Sequence, residues 1–308
     1  MSKILVTGGA GFIGSHVVDA YVAAGHTVSI IDDLSTGMTG NINPAATFYA
    51  LDIRSPEVAK VFETEKPDVV NHLAAHIDVR RSVEEPMHDA GINILGGLNI
   101  LESCVKHGVK KVIFASTGGA IYGVQKVLPA SESSNPEPEC HYATSKLSFE
   151  HYLALYKRLY TLDFTVLRFP NVYGPRQRPD GEAGVCAILA GLMLDGKTPT
   201  LFGHGTPLRD YVYVGDIARG CLLALDKGAG QILNLGSGTG TSVLELFESL
   251  KKALDFAGDP IMADLRPGEV QESYITGDLA REVLGWAPEM PLETGLKEVA
   301  EYIRKQRG

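Results

Sequence analysis

A glycine-rich segment near the amino terminus restricts the fold of this chain more than any other feature. Residues 7–14 read TGGAGFIG, directly after the apolar run Ile4-Leu5-Val6 and at the start of an apolar-periodic stretch at residues 13–24. Glycines at such a junction allow a tight turn and close contact between a strand and the helix that follows it. The sequence therefore predicts a strand, a tight turn and a helix as the first unit of the fold.

The same alternation continues along the first half of the chain. Short β-branched runs occur at residues 27–31, 69–74, 112–116 and 164–169, with helical stretches between them. Strands that alternate with helices form right-handed βαβ units and a parallel sheet covered on both faces. We predict an α/β fold: a doubly wound parallel sheet of the Rossmann type with a smaller α/β substrate lobe.

The composition changes after residue 169. Prolines and glycines cluster within residues 170–184, which indicates loops in place of regular sheet, whereas residues 212–214 and 232–235 again look like strands. The chain is therefore expected to leave the sheet, return to it and leave once more. We predict two discontinuous domains, a nucleotide-binding domain of residues 1–168 and 210–236 and a second lobe of residues 169–209 and 237–308.

Charge and composition argue against several classes of protein. Lys and Arg total 28 against 37 Asp and Glu, a formal net charge of −9, so the chain lacks the positive field of a general nucleic-acid binder. No apolar run reaches the roughly 18 residues of a membrane span, and the start lacks the apolar stretch of a signal peptide. The four cysteines stand apart without clustered histidines. We expect a cytoplasmic protein with no metal site and no nucleic-acid or membrane partner.

The glycine turn also predicts a ligand. The N-terminus of a helix offers free N–H groups and partial positive charge to a pyrophosphate, which glycines allow to approach closely. Asp32 follows about 20 residues later, at the end of the second predicted strand, where a carboxylate can bind the hydroxyls of an adenosine ribose. A carboxylate there would repel a 2′-phosphate, and Asp33 adds a second negative charge. The expected cofactor is NAD rather than NADP.

A tyrosine and a lysine indicate the chemistry. Tyr142 and Lys146 begin a long helical stretch, so they share one helix face at positions i and i+4. A phenol with a pKa of about 10 becomes a useful base when a nearby ammonium and a positive nicotinamide ring lower that pKa. Tyr122 and Lys126 have the same spacing, but Gly123 places them in a loop-like stretch. We therefore predict that Tyr142 and Lys146 form the catalytic pair.

Two hydroxyls end the strand predicted before this helix. Ser116 and Thr117 lie where the carboxyl ends of parallel strands bind ligands. A hydroxyl there can hydrogen-bond the oxygen that reacts. The alternative is a side chain that bonds its own backbone in a turn.

Together these elements resemble the extended short-chain dehydrogenase/reductases, the NAD-dependent epimerase/dehydratase family. The likeness covers nearly the whole chain. It continues through Asp52-Ile53, Leu73-Ala74-Ala75, Asn93, residues 167–177, residues 209–216, residues 266–269 and residues 284–286.

The resemblance implies a role for each of these positions. Tyr142 would be the base, Lys146 its partner, and Thr117 the hydroxyl beside the sugar O4; because an extra glycine follows Thr117, Ser116 stays a competitor. The implied cofactor residues are Gly8, Gly11, Phe12, Ile13, Gly14, Asp32, Asp33, Leu34, Ser35, Thr36, Gly37, Asp52, Ile53, Leu73, Ala74, Ala75, Asn93, Tyr142, Lys146 and Pro170. The implied sugar-nucleotide residues are Thr117, Tyr142, Asn171, Val185, Thr200, Phe202, Arg209, Tyr211, Arg266, Glu269 and Ser273.

Departures from related enzymes narrow the implied reaction. Sugar-nucleotide 4,6-dehydratases place an Asp-Glu pair just after the Thr, and nucleotide-glucuronate decarboxylases carry a Glu in that turn, where this chain has Gly118 and Gly119. Reversible oxidation at C4 is the chemistry left. The resemblance thus implies a nucleotide-sugar 4-epimerase that keeps NAD bound and interconverts UDP-glucose and UDP-galactose through a 4-keto intermediate.

Several alternatives stay open at this point. The family often has a Tyr seven positions after the second phosphate-binding Arg; Ser273 stands there, with Tyr274 next to it, and a small residue leaves room for UDP-N-acetylglucosamine or UDP-N-acetylgalactosamine. Epimerases of UDP-glucuronate or UDP-pentoses, and a net NAD-linked sugar-nucleotide dehydrogenase or reductase, share the same motifs. The resemblance also suggests a homodimer through helices near residues 93–107 and 142–160, although their apolar stripes would equally suit a core.

Overall fold

Strands and helices alternate along the chain in this computed structural model, which describes residues 1–179, 184–266 and 269–307. The strands are β1 (Lys3–Thr7), β2 (Thr27–Asp32), β3 (Thr47–Ala50), β4 (Val69–His72), β5 (Lys111–Thr117), β6 (Asp163–Phe169), β7 (Asn171–Tyr173), β8 (Thr200–Phe202), β9 (Leu208–Arg209), β10 (Tyr211–Tyr213), β11 (Gln231–Asn234), β12 (Thr241–Ser242), β13 (Ile261–Ala263) and β14 (Glu272–Ser273).

The α-helices are α1 (Phe12–Ala23), α2 (Val58–Glu65), α3 (Val79–Glu84), α4 (Pro86–Ala90), α5 (Gly97–His107), α6 (His141–Tyr160), α7 (Val185–Leu194), α8 (Val214–Leu223), α9 (Val243–Leu254), α10 (Asp278–Leu284) and α11 (Leu292–Gln306). A π-helical segment, Gly91–Gly96, joins α4 to α5.

The central sheet is parallel throughout, in the order β11-β6-β5-β4-β1-β2-β3. From β1 the chain builds outward through β2 and β3, and from β4 it builds the other way through β5 and β6. The order therefore reverses between β1 and β4, and the crevice at the carboxyl ends of these strands is where such sheets bind ligands. The predicted doubly wound parallel sheet is confirmed.

Helices cover both faces of this sheet. One hydrophobic cluster, which includes Ile4, Tyr21 and Trp286, joins the sheet to α1, α8 and α10. Another, which includes Leu5 and Phe149, joins it to α2, α5 and α6. Adjacent strand residues contribute to different clusters because successive side chains of a strand point to opposite faces. Burial on both faces explains why the strands read as continuous apolar runs.

A smaller α/β lobe stands at the carboxyl end of the sheet. It contains the parallel pairs β7–β10 and β8–β13, and β9 between antiparallel β12 and parallel β14. Its own core packs around Leu189, Phe247 and Leu296 of α7, α9 and α11. The predicted second α/β lobe is thus present.

Two details differ from the sequence prediction. The strand expected near residues 212–214 is β10, which pairs with β7 and lies outside the central sheet, whereas β11 does return to that sheet. Ala280, Leu284 and Trp286 pack in the cluster beneath the central sheet, although the predicted boundary put residues 237–308 in the second lobe. We therefore keep the division into two domains as a proposal, with α10 moved to the first of them.

Neither a membrane span nor a metal site emerges from the part of the chain that the structure describes. None of the helices there is both long enough and apolar enough to cross a membrane. Within the same residues, His, Cys, Asp and Glu side chains form no group of three or more that could hold a metal ion.

Candidate active site

The turn between β1 and α1 is closed by contacts that leave no room for a Cβ atom. Gly8 has a φ of +73°, and a Cβ there would lie 2.7 Å from the Ala74 amide nitrogen. A Cβ on Gly14 would lie 2.0 Å from the Gly8 carbonyl oxygen. No side chain caps α1 at Gly11, so the first N–H groups of the helix have no side-chain partner from the N-cap and can donate to a ligand. This backbone cradle fits the pyrophosphate of a dinucleotide.

Asp32 ends β2 beside the cradle and is buried. Its Oδ2 accepts a hydrogen bond from the Ala10 amide at 2.9 Å, and its Oδ1 accepts one from the Leu34 amide at 2.8 Å. Burial raises the pKa of Asp32, and these two hydrogen bonds oppose the rise. A Cβ on Gly37 would lie 2.7 Å from Asp32 Oδ1. The carboxylate is thus held at the edge of the cradle, as recognition of a ribose requires.

The predicted adenosine side continues past β2 and β3. Asp33 accepts hydrogen bonds from the amide and hydroxyl of Ser35 at 2.9 and 2.6 Å. Asp52 is paired with Arg54, which lowers the pKa of the Asp52 carboxyl. Ile53 is buried behind this loop. These residues follow β2 and β3 at the carboxyl edge of the sheet, where the adenine of a dinucleotide is expected to lie.

The loop after β4 is tied to the cradle and to the π-helical segment. The amides of Leu73 and Ala74 donate to the carbonyl and hydroxyl oxygens of Thr7 at 3.1 and 3.2 Å. The Asn93 side chain accepts from the His76 amide at 2.9 Å and donates to the His76 carbonyl at 3.0 Å. The other predicted cofactor residues follow β1, β2, β4 and β6 at the same edge: Phe12, Ile13, Thr36, Ala75 and Pro170.

Tyr142 lies in the first turn of α6, and its phenol interacts with the side chain of Thr117 at the end of β5. Lys146 is buried one turn later; its Nζ donates to the Ala115 carbonyl at 2.8 Å and lies 5.9 Å from the centroid of the Tyr142 ring. Strand β5 and helix α6 therefore bring the predicted tyrosine, lysine and hydroxyl into one group.

Burial has the largest effect on the pKa values of Tyr142 and Lys146. It raises the pKa of Tyr142, which the interaction with Thr117 opposes, and it lowers the pKa of Lys146 to about 8. The expectation that Lys146 lowers the pKa of Tyr142 is therefore not met in the chain by itself, because desolvation of the phenol is the larger effect. The positive charge of a bound nicotinamide would act in the opposite direction.

The two competing hydroxyls of β5 face different partners. Ser116 donates to Glu150 Oε1 at 2.5 Å, and that carboxylate also accepts two hydrogen bonds from Arg168 at 3.0 and 2.6 Å. Thr117 lies on the other face and contacts Tyr142. This arrangement favours Thr117 as the hydroxyl beside the substrate and gives Ser116 a structural contact.

The second tyrosine–lysine pair has a different environment, as predicted. Tyr122 lies between β5 and α6, outside any helix. Its hydroxyl donates to Asn234 Oδ1 at 2.8 Å and accepts from Arg168 at 2.7 Å, and the side chain is buried. Lys126 is exposed. Tyr122 therefore ties a loop to the sheet, away from the Tyr142 group.

The turn after Thr117 carries no acid or base. A Cβ on Gly118 would lie 2.3 Å from Ile275 Cδ1. The carbonyl of Gly119 accepts from the Ser273 hydroxyl at 3.1 Å. Ser273 thus faces the catalytic turn, whereas the ring of Tyr274 lies against Gly240. This geometry supports Ser273, rather than Tyr274, as the residue at the position where the family often has a tyrosine.

Predicted phosphate ligands lie across the crevice in the second lobe. The Arg266 guanidinium lies 3.6 Å from the centroid of the Phe202 ring and 3.7 Å from Glu269. Arg209 donates to the carbonyls of Leu208, Val270 and Gln271, and burial lowers its pKa. Arg209 is therefore held against a loop by backbone contacts, a role that the motif alone did not suggest.

The remaining predicted substrate residues lie in the same lobe. The backbone and side-chain amides of Asn171 donate to the Asp210 carbonyl at 3.0 and 3.3 Å. Tyr211 is buried, and its hydroxyl has no hydrogen-bond partner among the described residues. Val185 and Thr200 are the first residues of α7 and β8. Within residues 266–269, which resemble a phosphate-binding motif, positions 267 and 268 lie outside the described residues.

Sequence reasoning missed the buried acids near Lys146. Asp89 and Glu150 both oppose the fall in the pKa of Lys146. No motif marks Asp89; its only signal is helical spacing, four positions before Asn93. Arg168 was part of a family segment, but its pairing with Glu150 depends on the packing of β6 against α6.

Comparison with known proteins agrees with this geometry. Residues 4–236 match the sequence profile of the NAD dependent epimerase/dehydratase family. The chain is 40% identical over 310 residues to the UDP-glucose 4-epimerase of Mycolicibacterium smegmatis, and the alignment covers 99% of each.

Two solved structures are similar to this chain over nearly its whole length. The UDP-glucose 4-epimerase of Thermotoga maritima, solved with UDP-glucose, has a TM-score of 0.98 and 48% identity, with 99% of this chain and 100% of that chain covered. The UDP-glucose 4-epimerase of Thermus thermophilus, solved with NAD, has a TM-score of 0.92 and 43% identity over 98% and 99% of the two chains. The profile match and these identities show that the chain belongs to the NAD dependent epimerase/dehydratase family.

Proposed function

We propose that this protein is a UDP-glucose 4-epimerase, which interconverts UDP-glucose and UDP-galactose with NAD held throughout the cycle. The observation that carries the proposal is the contact between Tyr142 and Thr117, with Lys146 on the same helix face and glycine at both following turn positions. The names of the relatives above support the substrate. Their ligands, UDP-glucose and NAD, suit the crevice between the two lobes.

The chain contributes a base, a hydrogen bond and a positive charge. Tyr142 removes the proton from the sugar 4-hydroxyl and later returns one to the oxygen at C4. Thr117 holds that oxygen by a hydrogen bond, and the Lys146 ammonium, together with the positive charge of bound NAD⁺, opposes the effect of burial and favours the phenolate form of Tyr142. Bound NAD⁺ supplies what the chain lacks, a group that takes a hydride from C4 and gives it back to the opposite face of the 4-keto sugar.

The cradle and Asp32 would hold the cofactor. The first N–H groups of α1 would bind its pyrophosphate, and the Asp32 carboxylate its adenosine ribose. Lys146 would contact the nicotinamide ribose while still facing Tyr142. The protein therefore mainly orients the reactants and sets protonation states.

The second lobe would hold the nucleotide part of the substrate while the 4-keto sugar rotates. Arg209, Arg266 and Asn171 would supply cationic and amide donors from this lobe. Contacts to the diphosphate alone would leave the keto sugar free to present either face. Inversion then follows without net oxidation.

Turnover without added cofactor tests the proposal. Purified protein given UDP-galactose should form UDP-glucose, identified by nuclear magnetic resonance or chromatography, with no NAD in the buffer. Accumulation of NADH absorbance in proportion to substrate would instead identify a net dehydrogenase. Turnover only of UDP-glucuronate or a UDP-pentose would move the substrate to those sugars.

The position of Ser273 supports a second substrate class. Its hydroxyl bonds the Gly119 carbonyl, so a small side chain lies beside the catalytic turn. We propose that UDP-N-acetylglucosamine is also epimerised. Ser273→Tyr should lower the rate on this sugar far more than the rate on UDP-glucose, whereas Ser273→Ala should keep both; equal losses on the two sugars would contradict the idea.

We also propose a homodimer and a cytoplasmic location. Leu95 beside α5 and Leu159 on α6 are 64% and 61% exposed, and Tyr160 next to Leu159 is half exposed. These residues fit the helices from which a homodimer was predicted, and a second copy would cover them. Light scattering should give twice the chain mass for the wild type and a smaller mass for Leu159→Lys; a monomeric wild type would contradict the proposal.

A further inference from the structure

A buried carboxylate near Lys146 connects three elements of the site. Asp89, at 0% exposure, lies in α4. Its Oδ1 accepts hydrogen bonds from Asn93 Nδ2 at 2.8 Å and from His76 Nδ1 at 3.2 Å, and its Oδ2 accepts one from the Ser145 hydroxyl at 2.6 Å. These partners belong to the π-helical segment, the loop after β4 and the helix that carries Tyr142.

The charge of Asp89 is not balanced in the way that Glu150 is. Glu150 forms a two-point contact with Arg168, so its negative charge has a buried guanidinium beside it. No Lys or Arg of the described residues forms an ion pair with Asp89, whose only salt-bridge partner there is His76. Asp89 raises the pKa of Lys146 and of Tyr142 through its charge.

We propose that Asp89 is a positioning residue for the epimerase reaction: it fixes α6 against the loop after β4 and supplies a negative charge that is bonded to Ser145, next to Lys146. Asp89 acts through Ser145, the residue directly before Lys146, and through Asn93, which holds the backbone of His76. Asp89 therefore helps to set where the base lies and, together with Glu150, how the partner of the base is charged. The inference rests on the proposed function.

The neighbouring His72 and Cys140 add no charge to this effect, to which Glu150 also contributes. Near Lys146, burial lowers the pKa of His72 to about 3, which leaves the ring neutral at physiological pH. Near Asp89, burial raises the pKa of Cys140, so that this thiol is neutral too. The other groups that face the pair are Tyr142, His76 and the Glu150–Arg168 pair.

The Asp89→Asn variant removes the negative charge of the side chain and keeps its shape. The amide is isosteric; its oxygen can accept from Asn93, and its NH₂ group can donate to the Ser145 hydroxyl. We expect kcat to fall about 10- to 100-fold in the holoenzyme. Because a negative charge raises the pKa of both the base and the ammonium, both limbs of the kcat–pH profile should move to lower pH by roughly one unit.

Ser145→Ala is the matched variant for geometry. It keeps the Asp89 charge and removes one hydrogen bond, so kcat should fall at least about fivefold while both limbs stay in place. Asp68→Asn removes a half-buried carboxylate that is paired with Lys110, away from the site, and should match the wild type in rate and profile. If Asp89→Asn does not fold, Ser145→Ala decides the matter alone: a kcat within twofold of the wild type overturns the positioning role.

A profile of Asp89→Asn that coincides with the wild type overturns the charge role. A second readout is independent of turnover: the Tyr142 phenol, titrated by tyrosinate absorbance in the holoprotein and measured against the matching Tyr142→Phe protein, should ionise at lower pH in Asp89→Asn. The proposed function fails separately, if the wild type does not epimerise UDP-galactose. An unchanged tyrosinate midpoint in Asp89→Asn overturns the present inference whatever the wild-type rate.

Discussion

The chain contains two tyrosine–lysine pairs with identical spacing, and the fold gives them opposite environments. Tyr142 and Lys146 lie on one face of α6 at the ligand-binding edge of the sheet. Tyr122 and Lys126 lie in a loop, where the tyrosine is hydrogen-bonded to Asn234 and the lysine is exposed. The spacing is therefore informative only when a helix places the tyrosine and the lysine on one face and a strand end places a hydroxyl next to the tyrosine.

Removing the first phenol should have the largest effect. Tyr142→Phe deletes the base and keeps the ring, so kcat for UDP-galactose should fall by about 1,000-fold or more. Binding of NAD should persist, because the cradle and Asp32 are unchanged, and release of the cofactor on denaturation measures it. Near-normal turnover would refute the assignment of the base.

The two hydroxyls of β5 sharpen the contrast. Thr117→Val removes the hydroxyl that interacts with Tyr142; a hydrogen bond from a hydroxyl to a charged group is worth about 1.5–3 kcal/mol, so kcat should fall roughly 10- to 100-fold. Ser116→Ala should lower thermal stability through its lost contact with Glu150 and change kcat less. The reverse order of the two effects would make Ser116 the active hydroxyl.

Substitution of Tyr122, in the second pair, should lower the stability of the protein and leave its catalytic rate nearly unchanged. Tyr122→Phe leaves Asn234 Oδ1 and an Arg168 N–H without their buried partner, which costs about 1–3 kcal/mol in the free energy of unfolding. The rate of the folded enzyme should stay within about twofold of the wild type. Chemical denaturation measures the free energy of unfolding, and steady-state kinetics on the same preparation measures the rate. A loss of kcat without a loss of stability would contradict the structural role of Tyr122.

The smallest effect is expected at Lys126. Its side chain is exposed and belongs to no helix, so Lys126→Ala should change the unfolding free energy by less than about 0.5 kcal/mol. Lys146→Ala is its matched counterpart and should lower kcat about 100-fold or more, because the charge beside Tyr142 is lost. Equal rates for the two lysine variants would contradict the difference between the pairs.

Local patterns predicted the central sheet because its strands are buried on both faces and separated by amphipathic helices. The short edge strand β3 was missed, since only four residues pair with β2 and both ends are exposed. The packing of α10 beneath the sheet was also missed. It depends on Trp286 and Leu284 reaching a cluster whose other members are distant in sequence.

The candidate site could be predicted where one motif carries the geometry. The glycine turn, Asp32 and the Tyr142 pair are of this kind, and the structure brings them to one edge of the sheet. The choice between Ser116 and Thr117 could not be made, because alternation tells that they face opposite sides but not which side holds the ligand. Asp89 could not be found either, since its three partners come from separate elements.

The alternation along β5 has a consequence for how this chain can vary in length. The Thr117 hydroxyl faces Tyr142 and the Ser116 hydroxyl faces Glu150, so a shift of the strand by a single residue would exchange the faces to which these two positions point. Insertions and deletions should therefore be confined to the connections outside β5, such as the exposed loop near Lys126, while the distance from the start of the strand to Thr117 stays constant.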